Sequence, residues 1–189
     1  MTVAFSKTDT VAESDAAQNP PADRIGRARR RLSFADLTGI MPEVARLRRG
    51  HRTVGQWTLA QMCRHLADSF HGSIDGFGTN RHRIMRVFIG RRALRRVFAA
   101  NGIGAGFTVT ERLNPPSDAA LDPSAADLDA AIRRFLAHCG PWDVHPFFGR
   151  LTREEWTRLH RIHSAHHLSF AIPTGEPAAS PSGPTLFFA

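Results

Sequence analysis

Four histidines fall within the eight-residue run from His160 to His167, and all four lie toward the hydrophobic side of one helix. Turning about 100° per residue from Trp156, Leu159 and Phe170 fall within roughly 60° of it. His163 and His167 land within about 20°, with His160 about 40° to one side and His166 about 80° to the other. Arg158 and Arg161 take the opposite face. Both ends of the helix are marked. Thr152 with Glu155 three residues on forms a capping box, Leu151 is placed to staple onto Trp156, and Pro173 stops the run. The spacing predicts a helix from Arg153 to Ile172. A helix with this face must pack against another element, and something there must satisfy its imidazole nitrogens.

A second helix is equipped to meet it. Thr58 and Gln61 make another capping box, Trp57 and Met62 another potential staple, and Leu59, Met62, Cys63, Leu66, Phe70, Ile74 and Phe77 follow at helical spacing. His65 sits about 60° from Met62, at the margin of that stripe, where it can look into the seam between two packed helices. Histidines at i and i+4, here His163 and His167, stand about 6 Å apart at Cβ and suit two adjacent ligand positions on one ion. A third imidazole from the facing helix would give a three-histidine site with open positions, the pattern of a catalytic metal centre. The plain alternative is a hydrogen-bonded or partly exposed histidine patch, since a single histidine on an apolar face is usually a satisfied core residue. Each unpaired buried imidazole costs on the order of 1–3 kcal/mol, which weighs against four of them without a ligand. His160 and His166 are expected to be structural or to support the ligands.

Two segments carry a resemblance. Trp57 to Ser69 (WTLAQMCRHLADS), followed by His145 to Phe170 (HPFFGRLTREEWTRLHRIHSAHHLSF), resembles the DinB/YfiT-like metalloenzyme superfamily, and within it a branch known only as a domain of unknown function. The resemblance covers about residues 31–172. It implies an all-α four-helix bundle with up-down-down-up topology, whose metal is held by one histidine on the second helix and an H-x3-H pair on the last. On this sequence those positions are His65, His163 and His167. Many relatives read HRGQ after the pair, where this chain continues with Leu168, Ser169 and Phe170, so the role of that Arg and Gln is not carried over. The resemblance also implies a divalent transition metal, zinc or nickel foremost, a small-molecule substrate with a low-molecular-weight thiol, and a homodimer. Characterised members include thiol-dependent S-transferases, while the residues alone equally permit a metal-dependent hydrolase.

The remaining sequence fits one helical domain. Ser33 and Asp36 predict the start of a first helix running toward Gly50, kinked or restarted at Pro42, and Ser124 with Asp127 predicts another closed by Gly140 and Pro141. With the two histidine helices these make four. Residues 81–100 add a basic amphipathic segment, from Arg81 through Arg96, that Gly90 splits into two short helices. Such a segment is more often a solvated face over a core stripe than a membrane or nucleic-acid surface, so neither partner is favoured. A brief strand is conceivable at Phe107 to Thr110. Residues 1–29 and 173–189, rich in Pro, Ser and Ala, read as disordered tails around a domain of residues 30–172.

The net charge of +8 is compatible with drawing in an anionic substrate. Arg29, Arg30 and Arg31 precede Ala35, Asp36 and Leu37 rather than an apolar run, so they do not read as an export signal. With no span of 18 apolar residues and two cysteines, Cys63 and Cys139, the expected compartment is the cytoplasm. Cys63 lies in the apolar stripe and is expected to be a core thiol. Asp68 is a candidate to orient His65 and equally a plain surface carboxylate, and His145 is expected to shape the approach to the last helix. The rival from another class is a non-catalytic module that binds metal or an anionic surface.

Overall fold

Two capping boxes fix the helices that carry the histidines. Helix α2 (Leu59–Asp75) begins where the Thr58 side chain accepts from the Gln61 N–H and the Gln61 side chain accepts from the Thr58 N–H. Helix α5 (Arg153–Leu168) begins with the same reciprocal pair between Thr152 and Glu155. The computed structural model describes residues 28–78, 89–104 and 114–174. Among these, the chain is mostly helical: a 3-10 turn (Leu37–Gly39), α1 (Ile40–Arg48), α2, α3 (Arg91–Ala100), α4 (Leu121–Ala137) and α5, with two short strands, β1 (His51–Thr53) and β2 (Ala171–Pro173). No described helix is long and apolar enough to cross a membrane.

The core forms where the apolar stripes meet. Met62, Cys63, Leu66 and Phe70 of α2 are buried with Leu128, Ile132 and Phe135 of α4, Trp156 and Leu159 of α5, and Ile40, Val44 and Leu47 of α1. Helix α2 packs most extensively along α4, and also against α5, while α1 lies on α5. Phe70 and Phe135 meet edge to face at 5.5 Å, a favoured aromatic geometry. The basic helix α3 rests on Leu94, with Val97 and Phe98 half-buried and Arg92, Arg95 and Arg96 exposed. Its first residue is tied down by a two-pronged ion pair from Arg91 to Glu155, at 2.7 and 3.1 Å.

Several boundaries differ from those the sequence predicts. Asp36 does accept from the Thr38 N–H, but it caps the 3-10 turn, and Pro42 sits in the first turn of α1, where its missing N–H breaks nothing. Helix α4 starts at Leu121, three residues before Ser124, with extended Ala120 at its N-cap and no side-chain cap. Helix α5 ends at Leu168 rather than Ile172. The chain then turns extended, and β2 pairs antiparallel with β1, matching His51 with Pro173, Arg52 with Ile172 and Thr53 with Ala171. The Thr174 N–H donating to the Gly50 carbonyl and the Val54 N–H donating to the Phe170 carbonyl, both at 2.9 Å, extend the ladder at each end. Of the short helix expected ahead of Gly90, residues 81–88 lie outside the described residues, as do the strand expected at 107–110 and nearly all of both expected tails.

Gly90 has a role beyond interrupting a helix. His145 to Gly149 form a tight loop, closed by backbone bonds of 3.0 and 3.1 Å between its two ends, with His145 Nδ1 accepting from the N–H groups of Phe147 and Phe148. This loop presses onto the start of α3. A Cβ on residue 90 would stand 2.2 Å from the Phe147 carbonyl oxygen and 3.1 Å from Phe148 Cα, both backbone atoms. Gly90→Ala is therefore expected to destabilise the protein by about 1–3 kcal/mol in urea unfolding, although alanine is the better helix former. A stabilised variant would show that the loop and α3 do not touch as described.

Candidate metal centre

Helices α2 and α5 bring His65, His163 and His167 to one point. His65 lies two turns into α2, and the other two occupy the last turns of α5. His65 Nε2 is 3.1 Å from His163 Nε2, which is 2.9 Å from His167 Nε2. One candidate ligand atom from each ring lies within 4.8 Å of the others, and this is the one such group of three or more His, Cys, Asp or Glu side chains among the described residues. Nitrogens bound to zinc at about 2.0–2.1 Å in a tetrahedron stand about 3.3 Å apart, close to the two separations from His163 Nε2.

Hydrogen bonding alone leaves this cluster incomplete. A neutral imidazole nitrogen carries either one proton or one lone pair, so His163 Nε2 can serve one of its two neighbours well, not both. A cation among the three nitrogens serves all of them. The protonation state suits that arrangement. Burial, then the proximity of the neighbouring histidines, holds His163 and His167 well below the usual imidazole range, so their lone pairs are free at neutral pH, as ligation requires. The set is all imidazole, and it can accept zinc, nickel, iron or copper.

Trp57 completes the wall of the cluster. Its ring stacks on His167, with centroids 5.2 Å apart and planes at 14°, and lies 4.9 Å from the ring of His65. The sequence places Trp57 as a staple at the start of α2. Its side chain also fixes two of the three imidazoles, and its position just before the capping box is the only signal that could have pointed there.

The chain matches the family described as "Protein of unknown function (DUF1569)" over residues 26–174, and all three histidines fall inside the match. It belongs to this family. Neither the curated proteins nor the solved structures contain a match to it.

The other candidates in this DUF1569 chain separate cleanly from the cluster. His160 is a core residue, sandwiched between Phe70 at 4.0 Å and Trp156 at 5.3 Å with near-parallel rings. Burial holds it down to about 3, and its Nε2, like Trp156 Nε1 and Ser164 Oγ on the same helix, has no hydrogen-bond partner among the described residues. His166 stands beside His167 and outside the group of three, its Nδ1 2.9 Å from the Arg29 guanidinium and 3.0 Å from the Ile103 carbonyl oxygen. Asp68 pairs with Arg64 one turn back, at 3.1 Å. Cys63 is fully buried, and desolvation pushes its thiol up to about 12, which suits a packing residue and not a nucleophile. Arg158 and Arg161, on the face opposite the histidines, donate to backbone carbonyls, Arg158 to Phe98 at the end of α3 and Arg161 to Ala35. Arg153 likewise donates to the carbonyls of Leu136 and His138 at the end of α4, a common way of satisfying a helix C-terminus.

Proposed function

We propose that His65, His163 and His167 hold a divalent transition-metal ion, and that the protein is a metal-dependent enzyme acting on a small molecule. The observation that carries this reading is the convergence of His65 Nε2 and His167 Nε2, from two helices, on His163 Nε2, which can hydrogen-bond well to one of them and not to both. An ion bound there would act as a Lewis acid, lowering the pKa of a water or thiol at its open position. The residues supply the rest. Trp57 and the packing of α2 on α5 hold the rings in place, and burial keeps His163 and His167 unprotonated.

The resemblance to DinB/YfiT-like proteins favours zinc or nickel and a thiol-dependent transfer, with hydrolysis as the alternative at the same site. It also assigns α1, α2, α4 and α5 to a four-helix bundle, a reading supported by the packing of α2 on both α4 and α5 and of α1 on α5. A metal-binding protein without catalysis would use the same three histidines and part from this reading at turnover.

Elemental analysis of protein purified without an affinity tag should return about one transition-metal ion per chain. His65→Ala and His163→Ala should each abolish stoichiometric binding, while His160→Phe, inside the aromatic stack, should leave it intact. Wild-type protein that stays metal-free after growth with added zinc, nickel or cobalt would overturn the proposal.

A further inference from the structure

Arg29 is placed beside the histidine cluster without an acidic partner. Its guanidinium lies 2.9 Å from His166 Nδ1, a nitrogen that is also 3.0 Å from the Ile103 carbonyl oxygen, donates to that same carbonyl at 3.3 Å, and lies over the Phe170 ring at 5.6 Å. The His166 ring in turn stands 4.9 Å from that of His167. All of these contacts are neutral groups, and among the described residues no carboxylate pairs with this arginine. Arg30, Arg64, Arg91 and Arg134 each meet a carboxylate, and Arg153, Arg158 and Arg161 donate to carbonyls; what distinguishes Arg29 is its contact with His166, the neighbour of His167. Arg29 is also only partly buried, which leaves donors of its five N–H groups free to face a ligand.

The cluster adds a second reason. Its donors are three neutral imidazoles with no Asp or Glu among them, so a bound divalent ion keeps its full charge. A negative group on the substrate would then be attracted by the ion and by a guanidinium held against His166, whose ring neighbours that of His167. We infer that Arg29 recognises a carboxylate on the substrate while the substrate's reactive atom sits at the three-histidine site. Arginine suits this task because its planar fork matches a carboxylate with two parallel hydrogen bonds. His166 and the Ile103 carbonyl, both against the guanidinium, steer it, and His166 is a positioning residue.

This inference rests on the metal-binding proposal, and cobalt substitution separates the two. Full-length protein loaded with Co²⁺ has a visible spectrum that reports ligands at the ion. It would be titrated with 3-mercaptopropionate and with its methyl ester, which share a thiol anchor and differ in one negative charge. The ratio of the two affinities is then compared between wild type and Arg29→Gln, a comparison that cancels the difference in thiol acidity. The preference for the free acid should fall by about tenfold in Arg29→Gln, the scale of a lost charge-assisted hydrogen bond. Arg29→Lys should recover part of it, and the cobalt spectrum without ligand should be the same in all three proteins. An unchanged ratio, or a spectrum that neither compound perturbs, would overturn the role of Arg29 and leave the metal site standing. Failure to take up cobalt at all would overturn the metal proposal, and this inference with it.

Discussion

Metal-free protein unfolded with urea is expected to lose stability steadily as the pH falls from about 6.5 toward 4, by about 1.4 kcal/mol per pH unit for each histidine kept neutral by the fold. The direction follows from which state takes up protons first. Imidazoles in the unfolded chain titrate near 6.5, whereas burial holds His160 down to about 3 and His166 down to about 4, with His163 and His167 also well below the ordinary range. Between those limits the unfolded chain binds protons that the folded chain refuses, so acid draws the equilibrium toward unfolding. Above 6.5 both states are neutral and the effect vanishes. His160→Phe isolates one contribution, because it keeps a ring between Phe70 and Trp156 and removes the unpartnered Nε2. Its acid slope should be shallower by one proton, and its stability at pH 7 should be equal or higher, since an unsatisfied buried nitrogen costs about 1–3 kcal/mol. A slope identical to wild type would show that His160 does not stay neutral in the folded protein.

Arg30→Ala should be the most damaging single change outside the core, at about 3–5 kcal/mol. The Arg30 side chain pairs with Glu43 of α1, donates to the Ala171 carbonyl of β2 at 2.8 Å, and donates to the Leu168 carbonyl at the end of α5 at 3.2 Å. Its backbone N–H adds a bond of 3.1 Å to the Ser169 carbonyl. Removing it leaves Glu43, whose side chain is 11 % exposed, without its main partner, and strips two carbonyls of their donor. Arg30→Lys keeps a charge but not the fork that reaches three acceptors, so it should recover less than half of the loss. Combining Arg30→Ala with Glu43→Gln should cost clearly less than the sum of the single changes, because the stranded charge is gone. The check is urea unfolding at pH 7, and a loss under 1 kcal/mol for Arg30→Ala would contradict the clasp.

Neither effect of Arg30 is visible in the sequence, and the reason is general to this molecule. What the sequence declares is local chemistry. Thr58 with Gln61 and Thr152 with Glu155 announce their helices because the whole device sits within four residues. The i, i+4 spacing of His163 and His167, and the place of His65 at the edge of its stripe, carry the cluster almost as directly. What stays hidden depends on partners far along the chain. The ladder joins three residues to three others about 120 positions away, and neither strand alternates long enough to be read. Ser124 and Asp127 mimic a cap, yet Pro123 is accepted inside the first turn and lets α4 begin earlier. The spacing puts Arg158 and Arg161 opposite the histidines but is silent on the carbonyls they bind, Phe98 and Ala35, which lie about 60 and 126 positions away.

The ladder bears on how the cluster is kept together. Strand β1 runs into the start of α2 and β2 follows the end of α5, so the stitch joins the chain just upstream of His65 to the chain just downstream of His167. It acts as a hem that sets how far the two rods can slide past each other, and an ångström of slip would pull one nitrogen away from the other two. The convergence of the three nitrogens is thus vested in six extended residues outside the cluster, and changes there should spread the nitrogens while every histidine is still in place.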